Sequence, residues 1–92
     1  MNFRVRTTAR FRKDYRRMQK RGMNMELLDE VILKLAAGEK LSPQYRNHSL
    51  VGAEFAGMQE CHIRPDWLLV YHYEKEILVL VLSRTGSHSD LF

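Results

Sequence analysis

The segment that most constrains the fold of this chain is residues 77–82, which are six apolar residues in a row, ILVLVL. A half-exposed strand alternates polar and apolar positions, whereas a strand without a polar position needs cover on both faces. Two further strand-like segments precede it, at residues 58–64 and 67–73, and short turns at 65–66 and 74–76 separate the three. Turns of this length join consecutive antiparallel strands. The sequence therefore predicts a sheet whose last strand is buried on both sides.

Two helices are predicted ahead of this sheet, after a short strand around residues 3–5. The first is capped by Thr7 or Thr8 and runs to about residue 21, where Gly22 stops it. The second runs from a cap at Asn24 to about Ala37. Their apolar faces follow helical spacing. The residues on these faces are Phe11, Tyr15 and Met18 in the first helix, and Leu28, Val31, Ile32 and Leu35 in the second.

The order of these elements predicts a single α+β domain over residues 1–92. The N-terminal strand leads into an antiparallel pair of helices, because only Gly22 and Met23 separate the two. Residues 38–57 contain Gly, Ser, Pro and Asn and are expected to form a loop with one short strand. Three to four antiparallel strands complete the sheet, with both helices on one face.

Positive charge is concentrated near the N-terminus. Residues 1–21 contain nine of the fifteen lysines and arginines and a single acid, Asp14. Such a surface suits a polyanion, with nucleic acid favoured over an acidic protein or an anionic membrane. A solvated helix that only raises solubility has the same pattern. The cations predicted to contact RNA or the ribosome lie on the first helix: Arg10, Arg12, Lys13, Arg16, Arg17, Lys20 and Arg21.

All four histidines lie in the second half of the chain, where groups that titrate near neutrality could move protons. In the strand at residues 58–64, alternation places Glu60, His62 and Arg64 on one face and Cys61 on the other. An acid, an imidazole and a guanidinium could act on a phosphodiester, although the triplet alone is more typical of a solvated outer face of a sheet. His72, in the next strand, is interpreted as structural or merely exposed.

The last nine residues, RTGSHSDLF, leave the buried strand and bring chemical groups to the end of the chain. Gly86 permits a sharp turn that could return His88 and Phe92 to the sheet, where Phe92 could stack on a base. A frayed terminus with Phe92 against the core explains the same residues. His48, in the preceding long loop, is by itself typical of a surface histidine.

Cysteine and hydropathy patterns exclude several classes of protein. Cys61 is the only cysteine, so no internal disulfide is possible, and no spacing typical of metal ligands is present. The first six residues lack the apolar core of a signal peptide. No apolar run approaches the roughly 18 residues of a membrane span. A cytoplasmic protein without a metal is therefore expected.

Three stretches of the sequence carry a resemblance to a known family. They are YRNHSLVG at residues 45–52, CHIRPDWLLVY at residues 61–71, and RTGSHSDLF at residues 84–92. In this order they resemble the RelE/ParE superfamily of bacterial toxins and, within it, the YafQ-type ribosome-dependent mRNA interferases. The pieces His-x-x-Pro-Asp-Trp and Arg-Thr-Gly-x-His are specific as a pair. The similarity covers nearly the whole chain.

This resemblance implies an endoribonuclease that cuts mRNA in the ribosomal A site without a metal or other cofactor. In the family, the ribose 2′-hydroxyl attacks the adjacent phosphate and leaves a 2′,3′-cyclic phosphate and a 5′-hydroxyl. The matched positions imply that His48 accepts a proton and that His88 donates one. They also imply that His62 and Asp66 support the reacting centre and that Phe92 contacts the substrate.

Three further positions complete the predicted site. Glu60 stands where a catalytic-site aspartate is usual in YafQ, so a carboxylate is kept on a longer side chain. Arg64 and Arg84 are predicted to hold the phosphate, because guanidinium groups bind phosphate in a bidentate manner. Carboxylates near His88 are expected to favour its protonated form.

The resemblance also implies partners. These are the ribosome, mRNA and an acidic antitoxin, often of ribbon-helix-helix type, whose complex with the toxin represses its own operon. Operator DNA would then be contacted only through the antitoxin complex. Two other functions stay open, a ParE-like inhibitor of DNA gyrase that cuts no RNA and a non-toxic basic RNA- or ribosome-binding module. The imidazoles of His48, His62 and His88 at the matched positions favour the nuclease, because an inhibitor does not need them.

Overall fold

The computed structural model describes residues 2–92, and most of its elements begin and end where local sequence signals lie. Two 3₁₀ turns occur in the long loop, at Pro43–Tyr45 and Ala53–Phe55. The helices and strands, in chain order, are β1 (Arg4–Thr7), α1 (Ala9–Lys20), α2 (Met25–Ala36), β2 (His48–Ser49), β3 (Gln59–Arg64), β4 (Trp67–Glu74), β5 (Val79–Gly86) and α3 (His88–Leu91).

The first two helices begin at their predicted caps. Oγ1 of Thr8 accepts a hydrogen bond from the amide of Phe11 at 3.0 Å, and Oδ1 of Asn24 accepts one from the amide of Glu26 at 3.2 Å. Gly22, with a φ of +78°, turns the chain between them. Each of these helices has 12 residues. Within residues 2–92, no helix combines the length and the hydrophobicity that a bilayer-spanning segment requires.

The sheet has the strand order β1-β5-β4-β3-β2, and α1 and α2 pack onto one of its faces. This arrangement confirms the predicted α+β fold. Because side chains alternate along β3, the burial of Cys61 in the core directs Glu60 and His62 to the opposite face. The core consists of buried residues from both helices and three strands: Phe11, Met18, Leu28, Val31, Leu35, Cys61, Trp67, Leu69, Tyr71, Leu80 and Leu82.

Two details of the sheet differ from the sequence-based prediction. Strand β1 pairs with β5 in parallel, with Arg4 opposite Val79, so the sheet is not purely antiparallel. Two helices and three strands separate β1 from β5 in the chain, so no hairpin forces the two strands to be antiparallel. Ile77 and Leu78, predicted as buried strand, lie in the turn before β5 and are 55% and 41% exposed. Both residues belong to the turn that reverses the chain between β4 and β5, where Leu78 adopts a left-handed φ of +53°.

The C-terminus also differs, because a single turn of helix, α3, replaces the predicted turn or frayed end. Oγ of Ser87 accepts a hydrogen bond from the amide of Asp90 at 3.2 Å, and Oδ2 of Asp90 accepts one from the amide of Ser87 at 2.9 Å. This reciprocal capping box orders the helix start. It fixes the backbone that carries His88 and Phe92.

Candidate active site

The loop before β2 holds His48 against the sheet. Arg46 adopts a left-handed φ of +50° after the 3₁₀ turn, and its carbonyl accepts a hydrogen bond from Nδ1 of His48 at 2.9 Å. Asn47 donates to Oε1 of Gln59 at 2.6 Å and accepts from the hydroxyl of Tyr71. Because a carbonyl only accepts, Nδ1 of His48 carries the proton and the neutral ring keeps a free lone pair on Nε2.

Glu60 lies between two imidazoles. It is directly opposite His48 in the β2–β3 pairing, and its side chain is almost fully buried. Oε1 of Glu60 is 3.4 Å from Nε2 of His48 and 3.8 Å from Nε2 of His62. Nδ1 of His62 donates to the carbonyl of Pro65 at 3.2 Å, so both Nε2 atoms face the same carboxylate. The carboxylate can accept a hydrogen bond from either ring when that ring carries a proton on Nε2.

Three imidazoles from separate parts of the chain form one row. The ring centroid of His62 is 6.2 Å from that of His48 and 6.0 Å from that of His88. Asp66, in the turn between β3 and β4, accepts a hydrogen bond from the amide of His88 at 2.9 Å, and the same oxygen is 2.9 Å from its Nδ1. These contacts, the backbone one most strongly, lower the pKa of Asp66. Glu60 therefore lies between the first two imidazoles of the row, and Asp66 lies at its His88 end.

This arrangement suits proton transfer on a substrate that lies along the row. Nε2 of His48 is available as a base, and an imidazolium at His88 would be stabilised by Asp66. More than half of each side chain of His48 and His88 is exposed, so both can reach a bound molecule. His62, between them, is mostly buried.

The same cluster has the donors of a metal site. The ligand atoms of His48, Glu60 and His62 all lie within 4.8 Å of one another. Two imidazoles and one carboxylate are a common set for zinc and for copper or nickel. Sequence spacing argued against a metal, but it could not show this set, since the loop at His48 joins β3 only in the folded chain.

Arg64 lies beside the histidine row, close to a second guanidinium that the sequence did not single out. Arg46 and Arg64 both line a groove of about 230 Å³ that also includes His62. Both arginines are exposed. Since no local pattern connects residues 46 and 64, only the folded loop shows Arg46 as a candidate for binding phosphate.

Arg84 is placed differently from Arg64. Its Nε donates to Oδ2 of Asp14 at 2.7 Å, and a second nitrogen donates to Oδ1 at 3.2 Å. Asp14 is 2% exposed, and its hydrogen bond is the main cause that raises the pKa of Arg84. The guanidinium is therefore largely occupied within the protein. Its remaining edge lines a groove of about 470 Å³.

Phe92 lies at the mouth of that same groove. The ring is 60% exposed and packs edge-on against Phe55 with centroids 5.8 Å apart. Arg10 and Val70 also line the groove. An exposed aromatic ring beside a cation is suited to stacking on a nucleobase.

Two of the seven predicted RNA-binding cations form ion pairs within the protein, and the other five are exposed. Arg17 donates to Asp14 at 2.8 Å, and Arg21 pairs with Asp90 at 2.6 and 2.8 Å. Counting charges along the sequence did not reveal that Asp14 and Asp90 form ion pairs with these arginines. The other predicted RNA-binding cations are exposed on the helix surface: Arg10, Arg12, Lys13, Arg16 and Lys20.

His72 lies in β4, outside the histidine row. Its Nε2 is 3.5 Å from Oε1 of Glu74 in the same strand. Arg6 also contacts Glu74, at 3.0 Å. These contacts link strand side chains and involve none of the candidate catalytic groups.

The sequence and the fold of this chain are similar to those of known proteins. Residues 3–92 match the family model described as the bacterial toxin of type II toxin-antitoxin system, YafQ. The mRNA interferase toxin YafQ of Escherichia coli K12 is 31% identical over 86 residues, which cover 92% of this chain and 90% of that protein. A metal-bound toxin from Helicobacter pylori is 40% identical with a TM-score of 0.91, and the match covers 100% of both chains. YafQ in the E. coli DinJ–YafQ complex is 30% identical with a TM-score of 0.89, covering 98% of each chain.

The α+β fold, with its histidine row on the face opposite the helices, is that of a bacterial toxin from a type II toxin–antitoxin system. Within that class, the match over nearly its full length identifies the family. The chain belongs to the YafQ toxins.

Proposed function

We propose that this toxin is an mRNA interferase, an endoribonuclease that cuts mRNA in the A site of translating ribosomes. The observation that carries the proposal is the row of three imidazoles, His48, His62 and His88, with two carboxylates in contact with it. RNA supplies its own nucleophile, so a protein needs only to move protons and neutralise charge. Translating ribosomes place this activity in the cytoplasm.

His48 is the proton acceptor in this mechanism. Its Nε2 takes the proton of the ribose 2′-hydroxyl as the 2′-oxygen forms a bond to the adjacent phosphorus. Glu60, 3.4 Å from that nitrogen, stabilises the imidazolium that results. His62 shares the same carboxylate and adds positive charge close to the phosphate when it is protonated.

His88 is the proton donor. Its protonated Nε2 gives a proton to the 5′-oxygen as the bond from phosphorus to that oxygen breaks, which leaves a 2′,3′-cyclic phosphate and a 5′-hydroxyl. Asp66 at 2.9 Å from Nδ1 orients the ring and favours its charged form. General acid–base assistance contributes about 10²–10⁴-fold to such a reaction.

Cationic and aromatic side chains around the row hold the RNA. Arg64 binds the phosphates next to the reacting bond, together with Arg46 across the groove. Phe92 stacks on a base. The exposed cations of α1 bind ribosomal RNA, and this part of the affinity falls steeply with salt.

An acidic antitoxin neutralises the toxin by occupying its cationic surface. Support comes from the related E. coli toxin, which has been solved as the DinJ–YafQ complex. The net charge of +4 of this chain favours such a partner. Operator DNA is contacted only through that complex.

Induction of the wild-type toxin and of its His88→Ala variant in growing cells tests the proposal. The wild type is expected to arrest growth and to generate new mRNA 5′ ends at codon-phased positions, and His88→Ala is expected to do neither. His72→Ala, which changes a histidine outside the row, controls for loss of an imidazole from the sheet. Arrest by both the wild type and His88→Ala, with DNA damage, would instead indicate a gyrase inhibitor. No arrest by either would indicate a binding module.

The metal-bound H. pylori toxin supports a second proposal, that a transition metal ion binds to His48, Glu60 and His62. The backbone carbonyls of Arg46 and Pro65 accept from the two Nδ1 atoms and thereby direct both Nε2 lone pairs to one point. Such outer hydrogen bonds are usual around histidine ligands. Metal bound there would occupy the proposed base, so it would inhibit the nuclease.

A further inference from the structure

The helix that carries the basic charge also holds the C-terminal turn in place. α3 has only four residues, and a helix of this length is not stable by itself. Its position therefore depends on contacts with the rest of the molecule. Asp66 binds the amide and ring of His88 from one side. Arg21, at the end of α1, binds Asp90 from the other.

The contact between Arg21 and Asp90 is a bidentate ion pair. Nη1 of Arg21 donates to Oδ2 of Asp90 at 2.6 Å, and Nη2 donates to Oδ1 at 2.8 Å. Arg21 is the main cause that holds the pKa of Asp90 well below its usual range. Because Oδ2 also accepts from the amide of Ser87, one carboxylate both caps α3 and ties it to α1.

The end of β5 packs directly against this carboxylate. A Cβ atom on Gly86 would lie 2.9 Å from Oδ2 of Asp90 and 3.0 Å from its Cβ. The φ of Gly86, +154°, is also one that other residues rarely adopt. Only glycine therefore lets the strand pass this close to the capped turn.

Asp14, the single acid on α1, secures the strand that leads to the turn. The buried Asp14 accepts from Nε of Arg84 at 2.7 Å and from the amide of Thr85 at 3.1 Å. Arg17 links Asp14 and Asp90, with its Nη2 2.8 Å from Oδ1 of Asp14 and its Nε 4.0 Å from Oδ1 of Asp90. Asp14, Arg17 and Arg21 thus hold both the end of β5 and α3.

We propose that Arg21 and Asp90 are positioning residues for His88. They touch no reacting atom, and they act by fixing the helical turn that carries the proposed proton donor. The inference rests on the proposed role of His88. It also assigns Arg21, one of the predicted RNA-binding cations, to a structural pair.

Kinetic constants of matched variants test this role. Arg21→Ala and Asp90→Asn are expected to lower kcat roughly 10- to 100-fold, since small displacements of a catalytic group have effects of this size. The side chain of Asn can still accept a hydrogen bond from the Ser87 amide. A lower kcat in Asp90→Asn therefore reports on the ion pair with Arg21. Lys20→Ala removes one charge from the same helix end without touching Asp90, so any effect that it shares with Arg21→Ala is attributed to RNA binding.

Two further variants separate positioning from general damage. Arg21→Lys is expected to restore part of kcat, because an ammonium group makes one contact where the guanidinium makes two. The double variant Arg21→Ala/Asp90→Asn is expected to lose no more than its worse single variant, as two members of one pair are not additive.

Hydrogen exchange provides a readout that needs no RNA. The amides of Leu91 and Phe92 donate within α3, and they should exchange faster in Arg21→Ala and Asp90→Asn than in Lys20→Ala. A wild-type toxin that cuts no RNA would refute the proposed function, and the exchange rates would still decide whether the pair holds α3. Unchanged exchange in both variants, or a loss limited to KM and equal to that of Lys20→Ala, would overturn the positioning role.

Discussion

Asp66 and His88 are joined twice through one carboxylate oxygen, which accepts from the backbone amide of His88 and lies 2.9 Å from its Nδ1. The amide contact fixes the start of α3, and the ring contact fixes the tautomer and supports positive charge on the imidazole. A substitution that keeps one contact and removes the charge separates these contributions.

Asp66→Asn should lower kcat about 10- to 100-fold, because the neutral amide no longer supports positive charge on the ring of His88. Asn can still accept from the amide of His88, so α3 should stay ordered. Asp66→Ala should lose more, because it removes the amide contact as well. Single-turnover cleavage on programmed ribosomes measures both variants. Wild-type rates in Asp66→Asn would contradict the electrostatic role.

The lowered pKa of Asp66 makes the folding stability depend on pH in the acid range. An unperturbed aspartate titrates at about 3.9, and the folded-state pKa lies below this. Its contribution to folding stability is therefore present above pH about 4 and is lost as the pH falls through the folded-state pKa. Denaturation between pH 3 and 6 should show less loss of stability in Asp66→Asn than in the wild type. Equal acid sensitivity of the two proteins would refute this expectation.

Glu60→Gln should also reduce kcat about 10- to 100-fold, because the neutral amide no longer supports charge on His48 or His62. Glu60→Asp should retain part of the activity, with a shorter side chain that withdraws the carboxylate from both Nε2 atoms. Glu76→Gln, in the exposed turn before β5, is the control for loss of one negative charge. Cleavage rates of the three variants at neutral pH distinguish these outcomes. An active Glu60→Gln variant would remove Glu60 from the mechanism.

Zinc or copper should inhibit the wild-type toxin and raise its Tm, because a ligand that binds only the folded state stabilises it. His48→Ala and Glu60→Gln should each weaken binding at least about tenfold, as expected when a ligand or its support is lost. Binding should also weaken from pH 7.5 to pH 6, since protons compete for the imidazoles. Calorimetric titration measures the affinity, with His72→Ala as the matched control. Equal affinity in His48→Ala would place the metal elsewhere.

Local sequence signals specify much of the fold, whereas contacts between distant residues specify the details of the site. Thr8 and Asn24 cap their helices as predicted, because each cap acts over three residues or fewer. The parallel pairing of β1 with β5 joins residues more than seventy positions apart, and no local pattern encodes it. α3 could not be predicted from its four residues, since its order depends on Asp66 and Arg21.

The same distinction applies to the candidate site. Alternation along β3 correctly separates Glu60 and His62 from Cys61. The resemblance directed attention to His48, but its place depends on Asn47, which is held by side chains from β3 and β4. Charge counting marked every cation of α1 as a ligand for RNA. It could not show that Arg17 is paired with the buried Asp14, or that Arg21 is paired with Asp90 in the capping box of α3.

Cys61 should resist alkylation in the native protein and make the fold sensitive to alkali. Burial, aided by the charge of Glu60, raises the pKa of its thiol from 9.0 to about 12. Between these values the unfolded chain releases a proton that the folded chain retains, so stability should fall by up to about 1.4 kcal/mol per pH unit. Iodoacetamide should modify the thiol in urea but not in buffer at pH 8.5, and urea denaturation from pH 8 to pH 11 measures the slope. Cys61→Ala should show a shallower alkaline decline, and an identical slope in the two proteins would exclude the thiol as its source.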